Sequence, residues 1–388
     1  MNNLVIDISN MFFRSMFIVS GFGKKGFTFE NQDEISQLLR KLSTDITYII
    51  RQTNPSRVVF AYDHPRSWRK SIEIEENEGY KGHRKKSKFI DWDNLFVALD
   101  EFGNILEDNG FIVSKIEKAE ADDLMCLWKD EFLHKQKQHV ILVSGDEDIR
   151  QLIDTTTHED KTLFSTVYSP FSFGRGNKKH LYVNNQFNQW LREEDAGTIF
   201  DRSVDIDKEA FMHLRDTERI VVEEVVPKDI ALKKIFCGDD GDNVPAIYSW
   251  LNDKGKKVRI TNSKFKKIVK NLDINLWTDI KDKKDLIKQQ IVKISKETDL
   301  PFDIGHRLDR QTKLVVLNSK VFPEEIINNF NSKVNKEVEK RLIEAQKYNM
   351  TSLLENTQHI TKNSQGNVSR GSEASIFKDI DKISKELF

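Results

Sequence analysis

The stretch Glu120-Ala121-Asp122-Asp123 places three carboxylates directly before a mostly apolar run, Leu124 to Phe132. Acidic residues at the start of a helix are common, because they complement the positive end of the helix dipole. In this chain, however, acids also follow most of the other strand-like runs of the N-terminal part. These further acids are Asp7, Asp63, Asp146 and Asp148. The tetrapeptide therefore belongs to a repeated pattern in which strands end in carboxylates.

The alternation of strand-like and helix-like segments predicts the fold class. Apolar residues recur at helical spacing between Glu34 and Arg51 and between Asp91 and Asp108, and a strand-like run covers Phe111 to Ser114. A chain that alternates in this way builds an α/β fold around a parallel sheet, and ligands bind beyond the carboxyl ends of its strands. The acids are therefore expected to meet at one edge of the sheet.

Such a gathering of acids indicates a metal site. Carboxylates in one pocket repel one another and raise each other's pKa values unless cations neutralise them. Ligand sets made only of oxygen atoms suit magnesium or manganese rather than zinc or copper. The sequence therefore predicts divalent metal ions at the sheet edge.

The overall composition sets the class of protein. With 388 residues, of which 38% are hydrophobic and 32% charged, the chain is long enough for one large domain with additions or for two domains. No apolar run approaches the about 20 residues that span a bilayer, and the N-terminus lacks the layout of a signal peptide. Cys126 and Cys237 offer no disulfide or zinc framework. We therefore expect a cytoplasmic protein without a membrane partner.

A basic segment follows Asp63 and runs from Arg66 to Lys88, with Trp68 and Tyr80 among its bases and an acidic patch at Glu73 to Glu78. A solvated helical face would explain such a charge run. Aromatic residues among bases also suit a nucleic-acid strand that is held by its phosphates and stacked on its bases, and this interpretation is favoured because the segment lies between two acid-bearing strands. The net charge of −1 does not argue against it, because the distribution of charge matters more than the sum.

A second acidic motif occupies Gly238 to Pro245, where glycines among acids permit a tight turn that directs carboxylates towards a metal. An acidic surface turn or a calcium loop is the alternative, but the further ligands and closing Glu of an EF-hand are absent. The stretch Lys254 to Lys270 then holds eight bases and no acid. Such a block next to a metal centre indicates contact with a phosphate backbone.

Taken together, these motifs resemble the flap-endonuclease family of 5′-nucleases, and within it they are most similar to the branch of T-even bacteriophage ribonucleases H. The resemblance covers roughly residues 1–155 and 228–270 and continues more weakly from Arg310 to Ile326. It departs from the family at Tyr248 to Ile260, which interrupts the expected DNA-binding helical hairpin. The motifs that carry it are Asp7-Ile8-Ser9-Asn10 with Arg14, Phe60-Ala61-Tyr62-Asp63, Tyr80-Lys81-Gly82-His83-Arg84, Glu120-Ala121-Asp122-Asp123, Ser144-Gly145-Asp146-Glu147-Asp148 and Gly238 to Pro245.

The resemblance implies the division of the chain. Residues 1–155 would form a parallel-sheet, PIN-like nuclease core with a helical arch at 64–90 that closes over a single-stranded 5′ end. Residues 156–227 would be an insertion without an assigned role, and 228–350 a mostly helical duplex-binding region. Residues 351–374 are polar and predict a flexible linker.

The resemblance also implies the site residues. Two Mg²⁺ ions, for which Mn²⁺ would substitute, are expected: Asp63, Glu120, Asp122 and Asp146 would bind the first, Asp148, Asp239 and Asp242 the second, and Asp7 and Asp123 would act through water. Lys81 and Arg84 would contact the scissile phosphate and act in catalysis with Asp7, Asp63 and Asp146. The nucleic-acid contacts are expected from Arg66, Arg69, Lys70, Tyr80, Lys85, Lys86, Lys256, Lys257, Lys264, Lys266 and Lys267.

The activity implied is that of a 5′-3′ exonuclease, ribonuclease H and flap endonuclease acting on RNA·DNA hybrids and flapped or nicked DNA. It would remove primers from lagging-strand fragments during phage replication in an infected bacterium. A toprim-type nuclease or primase is an alternative that would use Glu120, Asp146 and Asp148 but gives no role to Asp239 or Asp242. A metal-free DNA-binding scaffold is another, although such a protein would not need so many mutually repelling acids.

The C-terminal segment 375–388 regains a helical apolar stripe that contains Ile376, Ile380, Ile383 and Leu387. Packing against the nuclease core is one explanation. The other is a helix offered to a replication partner, such as the sliding clamp or the single-stranded-DNA-binding protein.

Overall fold

The computed structural model describes residues 2–21, 26–84, 86–159, 161–170, 179–192, 220–252, 254–300 and 302–341. Its strands are β1 (Asn2–Asp7), β2 (Arg57–Ala61), β3 (Ile112–Ser114), β4 (His139–Val143), β5 (Asp154–His158), β6 (Lys161–Ser169), β7 (Lys179–Val183), β8 (Ile220–Glu224), β9 (Ser249–Leu251) and β10 (Lys257–Arg259). The linker 351–374 and the segment 375–388 lie outside the described residues.

The described α-helices are α1 (Ile8–Val19), α2 (Gln32–Thr53), α3 (Trp92–Asp108), α4 (Ala121–Lys129), α5 (Asn185–Arg192), α6 (Pro227–Cys237), α7 (Asn262–Leu272), α8 (Asp279–Asp282), α9 (Lys284–Ser295), α10 (Ile304–Val315) and α11 (Glu324–Arg341). A π-helix (Asp130–Lys135) continues α4, and short 3-10 helices cover Trp68–Ser71 and Asp148–Leu152. Among these described helices, none combines the length and apolar character of a membrane span.

The central sheet explains why the acids converge. Within the described residues its order is β3-β2-β1-β4-β6-β7-β8, with β5 paired to β6. Strands β3, β2, β1, β4 and β6 are parallel, so their carboxyl ends lie at one edge. The predicted α/β class with a parallel sheet is confirmed. Leu4, Val5 and Ile6 of β1 are buried throughout, as expected for a central strand covered on both faces.

The region predicted as an insertion, 156–227, extends this sheet in its described parts. Strand β6 lies beside β4 in parallel, and β7 pairs antiparallel with β6. Strand β8 then joins β7 in parallel. The change of direction after β6 breaks the regular strand and helix alternation, which is why the sequence pattern did not reveal these strands.

Local signals set the helix boundaries. Asp7 begins α1 by accepting a hydrogen bond from the Asn10 backbone N–H at 2.9 Å, and the sequence analysis did not identify this helix. The predicted helix from Glu34 to Arg51 is longer by two residues at each end, because Asn31 caps its start and Asn54 ends it in a left-handed conformation. In both helices a side chain next to the first turn sets the start, and at Asp7 strand β1 passes directly into α1.

Helices cover the two faces of the sheet and form a separate core beyond it. Helices α1, α2 and α3 pack on one face, while α4 and α11 pack on the other, where the rings of Trp128 and Phe330 meet at 5.2 Å. Helices α6 to α10 enclose the third core, which includes Ile235 and Ile268. Tyr80 of the basic segment is also buried in that core.

The segment expected to form a helical arch is mostly non-helical. Among its described residues, 64–84 and 86–90, one short 3-10 helix is present. Hydrogen bonds instead fix the backbone against the second acidic motif: Lys81 N–H donates to Asp242 O at 2.8 Å, and Asn77 Nδ2 donates to Asn243 O at 2.7 Å. Left-handed Gly79 and Lys81 make the turn that these contacts require. The conformation of this segment is therefore set by hydrogen bonds to the acidic turn and not by hydrogen bonds within a helix.

Candidate metal centre and nucleic-acid interface

The carboxyl edge of the sheet holds the predicted acids in defined orientations. Asp7 is nearly buried and accepts a hydrogen bond from Ser144 Oγ at 3.0 Å. Asp63 accepts one from the Ala121 N–H at 2.8 Å and so lies at the positive end of α4. Asp146 accepts one from the Asp148 N–H at 2.9 Å. The strand ends and the start of α4 thus contribute to one acidic surface.

Three of the predicted metal ligands form a compact group. Asp148, Asp239 and Asp242 each offer a carboxylate oxygen, and these atoms lie within 4.8 Å of one another. Asp148 comes from the sheet edge, whereas the other two come from the turn after α6. Hard oxygen donors at this separation fit a single divalent cation. The grouping expected for the second metal is therefore present in the structure.

The turn depends on Gly238. Asp239 and Val244 exchange backbone hydrogen bonds of 2.8 Å in both directions, which closes the loop between them. Gly238 has φ +75°, and a Cβ atom there would lie 2.4 Å from Val244 O. A side chain at this position would therefore force the two ends of the turn apart. The glycine fixes where Asp239 and Asp242 point.

Sequence reasoning missed Lys234, which lies on α6 and ion-pairs with Asp148 and, at 2.5 Å, with Asp239. Burial opposes the charge on Lys234, but Asp148 outweighs it and raises the lysine pKa. Burial raises the pKa of Asp148 to about 7 in spite of this lysine. The sequence signal for Lys234 was its position five residues before Asp239. The pair Lys233-Lys234 looks like an ordinary basic helix surface, so this signal was not recognised.

The four acids expected for the first metal lie close enough to affect one another's pKa values, but they are less tightly grouped than Asp148, Asp239 and Asp242. Within the described residues they do not form a group comparable to the Asp148 cluster. Burial, followed by repulsion from Asp146 and Asp7, nevertheless raises the pKa of Asp122 well above its usual value. The pKa of Asp7 rises to about 7, first through burial and then through Asp63. Repulsion of this kind favours a cation among them.

Glu120 of this set is already neutralised by protein cations. Lys81 Nζ lies 2.7 Å from one carboxylate oxygen, and Arg69 lies 3.0 Å from the other. Burial opposes ionisation of Glu120, but Lys81 and then Arg69 outweigh it and lower its pKa. Lys81 is also 3.9 Å from Asp242, so it bridges the two acidic groups. Arg84 reaches Asp242 at 2.5 Å. Lys81 and Arg84, the two positively charged residues predicted to act in catalysis, therefore both lie at the acidic site.

Arg69 was expected to bind nucleic acid, and the structure contradicts this. Its side chain is 1% exposed and ion-pairs with Asp123 at 2.7 Å as well as with Glu120. The guanidinium also lies 4.6 Å from the Trp68 ring centre. A group enclosed in this way is not accessible to a phosphate. Arg69 instead holds the start of α4 against the basic segment.

Asp123 and Tyr80 also differ from expectation. Asp123 is buried and accepts hydrogen bonds from Trp68 Nε1 at 2.9 Å and from the Glu120 N–H at 3.0 Å, which completes the capping box of α4. It therefore supports the helix and does not face the acidic surface. The Tyr80 ring is buried, so it offers no stacking face to a base. Its hydroxyl lies 2.9 Å from Asp242 and 3.1 Å from Glu120.

The remaining predicted nucleic-acid contacts lie on the surface, apart from Lys85, which is outside the described residues. The exposed ones are Arg66, Lys70, Lys86, Lys256, Lys257, Lys266 and Lys267, and Lys264 is half-buried. Strands β9 and β10 pair antiparallel, with Lys257 at the start of β10 and Lys256 directly before it. Arg259 ties β10 to the acidic turn through Asp240, at 2.6 and 2.8 Å. Contact between these bases and nucleic acid stays a prediction.

The parallel sheet gathers acids at the carboxyl ends of its strands, and Asp148, Asp239 and Asp242 lie close enough together to hold a divalent cation. Residues 2–174 match the family model described as 5′-3′ exonuclease, N-terminal resolvase-like domain. This part of the chain is accordingly similar to the N-terminal domain of 5′-3′ exonucleases.

Solved structures of bacteriophage T5 proteins share the fold over most of the chain. The T5 D15 protein co-crystallised with metal ions has 15% identity and a TM-score of 0.50, and the match covers 93% of this chain and 100% of the T5 chain. The T5 5′-exonuclease with bound zinc has 17% identity and a TM-score of 0.50, covering 87% and 99%. At these identities the likeness establishes the fold. No curated protein matches the sequence significantly.

Proposed function

We propose that this protein is a two-metal 5′-nuclease that acts as a 5′-3′ exonuclease, ribonuclease H and flap endonuclease. The observation that carries the proposal is the cluster of Asp148, Asp239 and Asp242, whose oxygens lie within 4.8 Å of one another, next to Lys81 and Arg84. The exonuclease domain match over residues 2–174 supports it. The toprim alternative gives no role to the two acids of the turn.

The ligand chemistry fits Mg²⁺, with Mn²⁺ as a substitute, because every donor is a carboxylate oxygen. Asp148, Asp239 and Asp242 would hold one ion. Asp63, Asp122 and Asp146, with Glu120 and Asp7, would hold the other. When bound, such ions supply Lewis acidity towards a phosphate and lower the pKa of water.

The protein's own contribution is to place positive charge beside the reacting phosphate. Lys81 and Arg84 are held next to the acids before substrate arrives, by contacts of 2.7 Å to Glu120 and 2.5 Å to Asp242. Cations fixed in advance stabilise the charge that develops on a phosphate in the transition state. No side-chain nucleophile is needed for this reaction.

The substrates proposed are RNA·DNA hybrids and flapped or nicked DNA, held by their phosphates. The β9–β10 strand pair and the start of α7 present exposed lysines next to the acidic turn, and such bases neutralise phosphates without reading sequence. The setting we propose is primer and flap removal during phage replication in the cytoplasm of an infected bacterium. The resemblance of the motif pattern to T-even phage ribonucleases H supports that setting. Segment 375–388 would engage the sliding clamp or the single-stranded-DNA-binding protein.

The substitution Asp146→Asn tests the assignment, with Glu147→Gln, an exposed neighbour, as the matched control. Cleavage in Mg²⁺ and gel-shift affinity in Ca²⁺ are measured on the same flapped duplex. We expect Asp146→Asn to abolish cleavage and leave affinity nearly unchanged, because the carboxylate serves the metal and not the phosphate backbone. The control should retain both. A loss of affinity as large as the loss of rate would contradict the metal-ligand assignment.

A further inference from the structure

The ammonium of Lys234 lies inside the group of carboxylates that fits a divalent cation. It contacts Asp148 and Asp239, and its side chain is only 15% exposed. The lysine projects from α6, one turn before the loop that carries Asp239 and Asp242. Two of the three candidate ligands are therefore already neutralised by a cation that belongs to the chain.

We infer that Lys234 is an internal counterion of this second metal position and that it sets the affinity of the position for metal. The inference rests on the proposed function, which places a divalent ion at Asp148, Asp239 and Asp242. A metal ion that coordinates Asp148 and Asp239 meets an ammonium already in contact with the same two carboxylates. The lysine must therefore move aside when the metal binds, and the second position is weaker than its three carboxylates alone would make it.

The third carboxylate is neutralised separately. Asp242 lies 2.5 Å from Arg84 and 2.9 Å from the Tyr80 hydroxyl. Arg84 is half-exposed and comes from the basic segment, so it is free to turn towards a phosphate without disturbing the sheet edge. Lys234 differs because it is enclosed between two acids from different elements. It joins the sheet edge to the turn, so its charge keeps the cluster closed when metal is absent.

This arrangement has a consequence for the metal-free protein. Without a cation, the oxygens of Asp148, Asp239 and Asp242 would repel one another across less than 4.8 Å. Lys234 relieves that repulsion for two of them. Its removal should therefore open the cluster in the absence of metal and make metal more strongly stabilising than in the wild type.

The test is a Mn²⁺ titration of the full chain without nucleic acid, followed by the electron paramagnetic resonance signal of free Mn²⁺. Lys234→Met removes the charge, Lys234→Arg keeps it, and Lys233→Met removes an exposed charge from the same helix. We expect Lys234→Met to tighten the weaker Mn²⁺ site at least tenfold, about 1.4 kcal/mol. Lys234→Arg and Lys233→Met should bind Mn²⁺ as the wild type does.

A thermal melt in chelator and in Mn²⁺ gives a second readout. The Lys234→Met variant should have a lower melting temperature than the wild type in chelator. Its melting temperature should rise more than that of the wild type when Mn²⁺ is added. Lys234→Gln, which keeps hydrogen-bonding atoms, serves as the uncharged variant if the methionine protein does not fold, with the same outcome expected.

Equal or weaker Mn²⁺ affinity in the folded uncharged variant would overturn the inference while leaving the proposed metal site intact. Absence of saturable Mn²⁺ binding in the wild type and all variants would overturn the proposed function itself.

Discussion

Replacement of Arg69 by methionine should destabilise the protein strongly, because the guanidinium is the buried cation between two acids. Arg69 lies 3.0 Å from Glu120 and 2.7 Å from Asp123, and Asp123 is itself fully buried. Its Nε also donates to the Leu314 backbone oxygen at 3.1 Å, which joins the basic segment to α10. Methionine fills similar space but leaves both carboxylates without this partner.

The expected magnitude follows from the burial of the pair. Removing one partner of a buried ion pair costs about 3–5 kcal/mol of the free energy of unfolding, since an uncompensated charge remains inside. Glu120 keeps Lys81 at 2.7 Å, so most of the loss should come from Asp123. Arg69, after Lys81, also lowers the pKa of Glu120, so without Arg69 this carboxylate takes up a proton more readily as the pH falls. The loss should therefore be larger at about pH 8 than at about pH 5.

Urea unfolding followed by circular dichroism measures this loss at both pH values. Arg66→Met is the control, because Arg66 is 76% exposed and its pair with Glu117 should contribute less than about 1 kcal/mol. The double variant Arg69→Met with Asp123→Asn should recover part of the stability by removing the orphaned charge. A loss from Arg69→Met no larger than that of the control at the higher pH would refute the reasoning.

Two further predictions concern the acidic cluster. Without metal, the pKa values of Asp7 and Asp148 are raised from 3.8 to about 7. The folded state therefore keeps protons that the unfolded state releases, so the urea midpoint in chelator should fall as the pH rises from about 4 to about 7, and added Mg²⁺ should oppose the fall. A flat profile in chelator would contradict these shifts. Gly238→Ala should weaken Mn²⁺ binding at least roughly tenfold (about 1.4 kcal/mol), because a Cβ would lie 2.4 Å from Val244 O. The Mn²⁺ titration measures this, with Gly255→Ala, where a Cβ has nothing within 4 Å, as the control for backbone strain. Equal Mn²⁺ affinity in both variants would contradict the conclusion that Gly238 positions the metal ligands of the turn.

Strand periodicity is the strongest signal in the sequence. Runs such as Leu4-Val5-Ile6 indicate buried strands, and the parallel rule then places Asp7, Asp63 and Asp146 at one edge of the sheet. The tight turn from Gly238 to Pro245 also follows from a local pattern, because glycines among acids permit such a turn, and Asp239 and Val244 close it with backbone hydrogen bonds. In both places a local pattern and a general topological rule were sufficient.

Other features depended on partners distant in sequence. Arg69 and Tyr80 lie in a basic, aromatic segment that favours a nucleic-acid surface, but they are buried against α4 and the third core. Their sequence neighbours carry no sign of this, since the partners come from the Glu120 tetrapeptide and the acidic turn. Lys234 was missed partly for this reason, because Asp148, one of its two partners, comes from a different part of the chain. The antiparallel step from β6 to β7 likewise breaks the alternation on which the fold prediction relied.

The direction of cleavage tests the central proposal most directly. Flapped duplexes and RNA·DNA hybrids labelled at either the 5′ or the 3′ end are incubated with wild-type protein in Mg²⁺, with Asp146→Asn as the inactive control. We expect short products carrying the 5′ label, released without a sequence requirement, and none from the variant. Progressive release of the 3′ label, or cleavage that persists in Asp146→Asn, would contradict the proposal.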